Sequence, residues 1–457
     1  MKKVMKFIKR LLQIWLIYAA IGLVILPLYH KPSVHAGDGR KGRQCTGQER
    51  IRSIDTNMDA LLWRLRLIEE AEERIVLVTF DFRDDNSGQD IMSALLNAAD
   101  RGVEVQILVD GMNGSLWLPT SRNFRELAAH ENVEVRLYNP INLLLPWKIN
   151  YRMHDKYLIA DDFAYILGGR NTDDLFLGNY VESCNEDRDI LVYETVPGSG
   201  SSYIQLQEYF ERIWDLPCCK QYGWRAKGEG GLRSHYQEVQ MKYPEVFTET
   251  EWEKETVTTE GIELCTNPME PENKHPMLWD RLVEEMGQGG DILIQTPYII
   301  CSRTMYRDLT ELCEESPGTE LIINAVEGGS NPFGCTDYMN QKRKIRKTGV
   351  CICEYLGEQA LHTKTILTGD HISIVGSCNL DMRSVYLDTE LMLVIDSREL
   401  NASLREQAEL LKQKSRKVSP DGMVVEGEGY QETEQGIGKA VFYQILRVVL
   451  IPFRHLL

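Results

Sequence analysis

Apolar and polar positions follow two periods along this chain, and the periods alternate. MDALLWRLRLIEEA, from Met58 to Ala71, repeats its apolar residues every three or four positions, the spacing of a half-buried helix. RIVLVTFDF follows as a Val- and Ile-rich strand, then GQDIMSALLNAADRG as a helix with Gly102 as a plausible C-cap. VEVQILVDG, a helix over Arg122 to His130, VEVRLYNP, MHDKYLIADD and AYILGGRN continue the series. The same order then recurs: MLWDRLVEEMGQGG, DILIQTPYII, TMYRDLTELCEES, TELIINAVEGG, DYMNQKRKIRKTG, VCICEYLG, LHTKTILTGD and HISIVGSCN. Ile75 to Ile292 is 217 positions and His154 to His362 is 208, so a whole unit is duplicated. Alternation at this spacing predicts two tandem α/β domains with mainly parallel or mixed sheets, packed as a pseudo-twofold pair.

The flanks break the pattern. Leu11 to Leu28 is an 18-residue run with one strongly polar member, Gln13, preceded by Lys2, Lys3, Lys6, Lys9 and Arg10. As a helix it would be about 27 Å long, close to a bilayer core of about 30 Å. Two readings stand: an uncleaved transmembrane signal anchor, which is favoured, or a signal peptide cut after Ala36. The flanking charges lean towards an extracytoplasmic body at a bacterial cell membrane. The chain thus divides into a basic N-terminus with an anchor (1–30), a linker (31–49), unit one (50–215), a bridge (216–261), unit two (262–418), a flexible acidic tail (419–437) and an apolar, basic segment (438–457). That last segment is too interrupted to span a bilayer; lying on a membrane surface and docking on the protein are equal alternatives.

Composition narrows the function. The 457 residues carry a net charge of −17, which disfavours a general nucleic-acid binder but permits one locally basic pocket. The eleven cysteines show no CxxC spacing and read as buried or idle thiols, with disulfides open if the body lies outside the cytoplasm. No metal or other cofactor is implied, and oligomeric state is not legible.

The chemistry lies in two copies of His-x-Lys. His154 and Lys156, like His362 and Lys364, are two apart and would share one face of a strand. Each His is followed 17 positions later by an Asn after a glycine turn, Asn171 in GGRN and Asn379 in GSCN. Two imidazoles, two ammonium groups and two amides would make a cationic pocket for one phosphodiester. One neutral His can attack phosphorus while the other protonates the leaving oxygen, with Lys and Asn carrying the developing charge. His130, His235, His275 and His371 have no such pairing and read as ordinary. Each catalytic His also needs an acceptor for its other ring nitrogen. In unit two the expected acceptor is Glu390. In unit one Asp187 and Asp189 both offer themselves, and Asp189, which directly precedes ILV, is preferred. Asp161, seven positions after its His, falls on the opposite face and is expected to hold a turn; Gly369 replaces it in the second copy, with Asp370 next.

These residues resemble a known family. HDKYLIAD matches the HxKxxxxD pattern of the phospholipase D superfamily, and HTKTILTGD with GSCN looks like its second copy. TPYII (Thr296 to Ile300), NLDMRS (Asn379 to Ser384) and RMHDKYLIADDFAYILGGRNTDD resemble bacterial cardiolipin synthases, in the branch with a GGRN turn. The resemblance implies transfer of a phosphatidyl group to the headgroup of phosphatidylglycerol. His154 and His362 would be the catalytic pair, with His154 as the attacking residue, and Lys156, Lys364, Asn171 and Asn379 would bind phosphate. Ser377 would add a hydroxyl donor, which Gly169 cannot. The expected partners are two phospholipids and a membrane. A phospholipid hydrolase of the same fold is the alternative; a nuclease or a non-catalytic membrane scaffold is further removed.

Overall fold

The computed structural model describes residues 2–25, 49–224, 230–272, 274–433 and 435–457. The first half holds β1 (Glu49–Ile54), β2 (Arg74–Thr79), β3 (Glu104–Asp110), β4 (Val133–Tyr138), β5 (Tyr157–Ala160), β6 (Ala164–Gly168), β7 (Asn185–Glu186), β8 (Asp189–Glu194), β9 (Cys219–Gln221) and β10 (Val257–Thr258). The second holds β11 (Gly261–Thr266), β12 (Ile292–Gln295), β13 (Ile299–Ile300), β14 (Glu320–Asn324), β15 (Cys351–Tyr355), β16 (Ala360–Leu361), β17 (Thr365–Thr368), β18 (Ile372–Gly376), β19 (Leu380–Asp381), β20 (Leu391–Asp396), β21 (Ser415–Val418) and β22 (Val424–Glu426).

Two nine-stranded sheets result, β10-β1-β8-β6-β5-β2-β3-β4-β9 and β11-β20-β18-β17-β12-β14-β15-β21-β22, with the duplicated strands in the same spatial order. Both sheets are mixed. Only the β2-β3-β4 and β12-β14-β15 neighbours are parallel; the other pairings are antiparallel. Helices cross over between those inner strands, whereas short turns reverse the chain at the β5-β6 and β17-β18 hairpins. Gly102, at φ 101°, ends its helix in the left-handed region, where a side chain would be strained.

Strand periodicity builds two kinds of core. Ile75 and Leu77 of β2 face helices on the outer side, while Val76 and Val78 face inward. In β12, Ile292 and Ile294 point outward and Leu293 inward. The inward residues of both sheets meet in one shared core, joined by Leu206 and Phe210 from the helix Ser201–Trp214 and by Leu400 and Leu404 from Arg398–Gln413. That core belongs to neither half, so the halves are fixed against each other by apolar burial.

Four outer features depart from expectation or refine it. The described N-terminal helix ends at Ala20, followed by a π-turn at Ile21–Ile25, and its first half carries the basic residues. Among the described residues no helix is long and apolar enough to cross a membrane, so the expected transmembrane helix has no support here. The end of its apolar run, 26–28, and the Ala36 cleavage reading lie outside those residues. The bridge contains a helix, Leu232–Lys242, that packs on the first half through Tyr236 and Val239. Part of the tail expected to be flexible adds β22 to the second sheet. The final segment forms a helix, Ile437–Val449, and a 3₁₀ turn, Ile451–Leu456, docked by Arg454 on Asp337 at 2.7 Å.

Candidate functional site

Each His-x-Lys segment lies just before its strand rather than within it. Met153 bridges Thr389, and β16 pairs with β7, so each segment is hydrogen-bonded to the opposite half. His154 donates its backbone N–H to the Thr389 carbonyl at 3.3 Å, and His362 donates its own to the Glu186 carbonyl at 2.6 Å. These crossings bring both imidazoles, with Asn171 and Asn379, onto one cavity of about 480 Å³ between the halves. Lys156 donates to the His154 carbonyl at 2.6 Å, and Lys364 to the His362 carbonyl, both ammonium groups lying beneath the histidines.

The orienting carboxylates are exchanged between halves. His154 Nδ1 lies 2.9 Å from Glu390 Oε1, and His362 Nδ1 lies 2.6 Å from Asp187 Oδ2. Glu390 therefore serves the other copy's histidine, and Asp187 takes the place expected for Asp189. Register gives the reason. Gly168 pairs with Asp189 and its counterpart Gly376 pairs with Met392. Two residues back from each partner stand Asp187 and Glu390. Asp189 is instead buried against Arg64 at 2.9 Å and Arg170 at 3.4 Å, in a structural ion pair.

Ser377 and Gly169 also separate from the expected phosphate role. Ser377 is fully buried and donates to Glu390 Oε2 at 2.5 Å, fixing that carboxylate rather than facing the cavity. A Cβ at Gly169 would stand 2.5 Å from both Asp187 oxygens. The glycine thus makes room for Asp187, and the serine braces Glu390. Asp161, at φ 46°, accepts the backbone N–H groups of Glu72, Glu73 and Arg74 at 2.6 to 2.9 Å. It pins the entry to β2, away from the cavity, and not its own turn as expected. Gly369 keeps the left-handed turn at φ 57°.

Burial dominates the site's electrostatics. It holds His154 well below the usual imidazole range and His362 down at about 4, the neighbouring lysines adding to both effects. It lowers Lys156 to about 7 and lowers Lys364 as well. Burial raises Glu390 well above the carboxylate range despite Lys156. Asp187 is also desolvated, yet Lys364, His362 and Arg170 together hold it below that range. Burial therefore favours the neutral form of both imidazoles, and an anion between them would raise their affinity for protons.

Several participants were not legible beforehand. Phe80 and Phe176 set ring edges against His154 and His362, each at 4.9 Å between centroids. Tyr298 accepts from Asn379 Nδ2 at 3.3 Å, while Asn171 Oδ1 and Asn379 Oδ1 have no hydrogen-bond partner among the described residues. Turned over, either amide presents its N–H groups to an anion. Arg152, clamped to Asp110, and Arg383 complete the charged wall. The arrangement can hold a phosphodiester, attack it with one ring nitrogen and protonate a leaving oxygen with the other.

The family model described as "Cardiolipin synthase, PLD-like domain" matches residues 65–214 and 282–411. Cardiolipin synthase C of Escherichia coli (strain K12) is 26% identical over 397 residues, covering 78% of this chain and 83% of its own length. Cardiolipin synthase B of Shigella flexneri is 26% identical over 355 residues, with 75% of each chain covered. Among solved structures, phosphatidylserine synthase of Haemophilus influenzae Rd KW20 shares the fold at a TM-score of 0.63 and 13% identity, covering 89% of this chain and 95% of that one.

Proposed function

The chain belongs to the cardiolipin synthase family of phospholipase D-like proteins and is a phosphatidyltransferase of that superfamily; we propose that it makes cardiolipin from phosphatidylglycerol and a second phospholipid. One observation carries this reading: two His-Lys-Asn sets converge on one cavity, each histidine oriented by the other half's carboxylate. The donor's phosphate sits between the imidazoles, its negative charge offsetting the burial that lowers the proton affinity of the lysines and of the acid histidine. One imidazole Nε2 forms a bond to phosphorus as the P–O bond to the headgroup breaks. The departing alkoxide takes a proton from the other imidazole. An acceptor hydroxyl then returns its proton to that imidazole as its oxygen replaces nitrogen on phosphorus. By family resemblance we take His154 as the attacking residue.

The setting is a membrane surface. The helix Ile437–Val449 rests on Pro332–Arg346, whose Phe333 lines the cavity, and leaves Val441, Phe442, Ile445 and Val448 more than half exposed. The N-terminal helix hangs on the loop before Asn150 through Trp15 and Tyr18, with Phe7, Ile8, Ile14 and Ile17 exposed. Apolar surface so placed, with basic neighbours, suits lipid contact. Vesicles of phosphatidylglycerol and phosphatidylethanolamine should float the protein. Equal flotation after Ile445→Asp with Val448→Asp would remove the second helix from this role.

The activity itself is tested with purified protein in detergent, given phosphatidylglycerol alone or with phosphatidylethanolamine. Cardiolipin is the expected product, and His154→Ala and His362→Ala should each abolish it. Phosphatidic acid without cardiolipin would make the protein a hydrolase instead.

A further inference from the structure

The cavity carries a second cation that the His-Lys-Asn sets do not use. Two arginines line it. Arg152 is neutralised, with Nε and Nη2 at 2.6 to 3.0 Å from the Asp110 carboxylate and its guanidinium 4.7 Å from the centre of the Phe80 ring. The Arg383 guanidinium is held by two backbone carbonyls, its Nε donating to Leu456 at 3.0 Å and its Nη1 to Asn150 at 3.2 Å.

The acids beside Arg383 are poorly placed to neutralise it. Asp388 Oδ1 stands off at 3.5 Å, and burial pushes that carboxyl up to about 7. Asp381 accepts the Ser384 N–H at 2.6 Å as the cap of the helix Met382–Tyr386. Nη2 of Arg383 has no hydrogen bond among the described residues. A planar guanidinium fixed by carbonyls and left short of a counter-ion is suited to the paired oxygens of a phosphate.

Arg383 lines the same cavity as the two histidines but hydrogen-bonds neither of them. Transfer between two phospholipids brings two phosphodiesters into this one space: the one that is cleaved and the one that the acceptor already carries. We propose that Arg383 binds the phosphate of the acceptor phospholipid and so places the acceptor's headgroup hydroxyl against the phosphohistidine. This assignment rests on the phosphatidyl transfer proposed above. In the step it serves, the acceptor O–H bond and the P–N bond break, a P–O bond forms, and the proton passes to the second imidazole. Water, which brings no phosphate, gains nothing from Arg383. The 3₁₀ turn Ile451–Leu456 becomes a positioning element, since its ion pair to Asp337 holds the Leu456 carbonyl that helps aim the guanidinium.

The test reads how the intermediate divides between lipid and water, a ratio from which effects on the first step cancel. The full chain is given phosphatidylglycerol in mixed micelles, and cardiolipin and phosphatidic acid are quantified from the same reaction. Arg383→Gln should lower the cardiolipin-to-phosphatidic-acid ratio at least tenfold. Arg383→Lys, which keeps charge but loses the planar fork, should lower it about threefold. Arg454→Gln, which frees the turn without touching the cavity, should lower it in the same direction. An unchanged ratio in Arg383→Gln overturns the assignment; if that variant does not fold, an unchanged ratio in both Arg383→Lys and Arg454→Gln does so. Failure of the underlying reading looks different, because wild type would then form no cardiolipin at all.

Discussion

Replacing Asp187 with Asn tests the exchange of carboxylates between halves. The carboxylate lies 2.6 Å from His362 Nδ1 and 3.7 Å from Lys364 Nζ, with no side-chain exposure. Two unit charges at the longer distance interact by about 4–5 kcal/mol at an effective dielectric of about 20. Asn removes that charge and adds a wrong donor. If its N–H₂ faces Nδ1, that nitrogen can no longer carry a proton, and His362 cannot become the imidazolium that protonates the leaving oxygen. Together these changes should withdraw about 3–5 kcal/mol from the charged transition state, about 10²- to 10⁴-fold in kcat. Asp189→Asn should do the reverse. It leaves Arg64 and Arg170 short of a buried partner, at about 3–5 kcal/mol of stability, or roughly 6–20 °C in Tm at about 2–4 °C per kcal/mol. Turnover per folded molecule should change little. The assay is cardiolipin formation beside a thermal melt for each variant. Asp187→Asn within threefold of wild type would refute the exchange. So would Asp189→Asn losing turnover with its Tm intact, which would return the orienting role to Asp189.

Three further outcomes are expected. Gly169→Ser should reduce turnover by at least tenfold, because its Cβ would sit 2.5 Å from both Asp187 oxygens; full activity would show that the glycine is not making that room. Gly369→Asp should leave turnover within threefold, since its turn is remote from the cavity and the nearest atom to an added Cβ is 3.8 Å away; a tenfold gain, about 1.4 kcal/mol of barrier, would make the missing carboxylate catalytic. Lys156 titrates near 7 when folded against 10.5 as a free side chain, so between those values the unfolded chain binds the extra proton and folding stability rises with pH. The stability of wild type relative to Lys156→Met should therefore climb from pH 7 to 10, as read by denaturant melts; a flat difference would mean that Lys156 is not desolvated.

The repeat, the two His-x-Lys sets and the paired asparagines were legible because each is a local pattern stated twice. What escaped the sequence is what depends on distance. Alternating helices and strands left mainly parallel and mixed sheets both open; the β5-β6 and β17-β18 hairpins, which no periodicity reports, make them mixed. The choice between Asp187 and Asp189 failed for a countable reason. Asn171 to Asp187 is sixteen positions and Asn379 to Glu390 is eleven, so the repeat loses its register where it was needed. Ser377 looked like a phosphate donor because its hydroxyl follows the glycine turn; only the position of Glu390 shows where that hydroxyl goes. Phe80 carried no signal, because a strand-end aromatic is ordinary; Arg383 stood out only as part of the NLDMRS turn, and its partners, carbonyls more than 70 positions along the chain or over 200 back, gave no sign of its role.

The crossing of carboxylates has a consequence for how this chain can change over time. Duplicated genes usually free one copy to drift, since the other keeps the function. Here that freedom is closed. A half on its own possesses a histidine with nothing behind it and an acid with nothing in front of it. Each copy has become part of the other's reaction centre. Damage to either is therefore damage to both, and the two can diverge only as partners: Gly beside Asp in one, Ser beside Glu in the other.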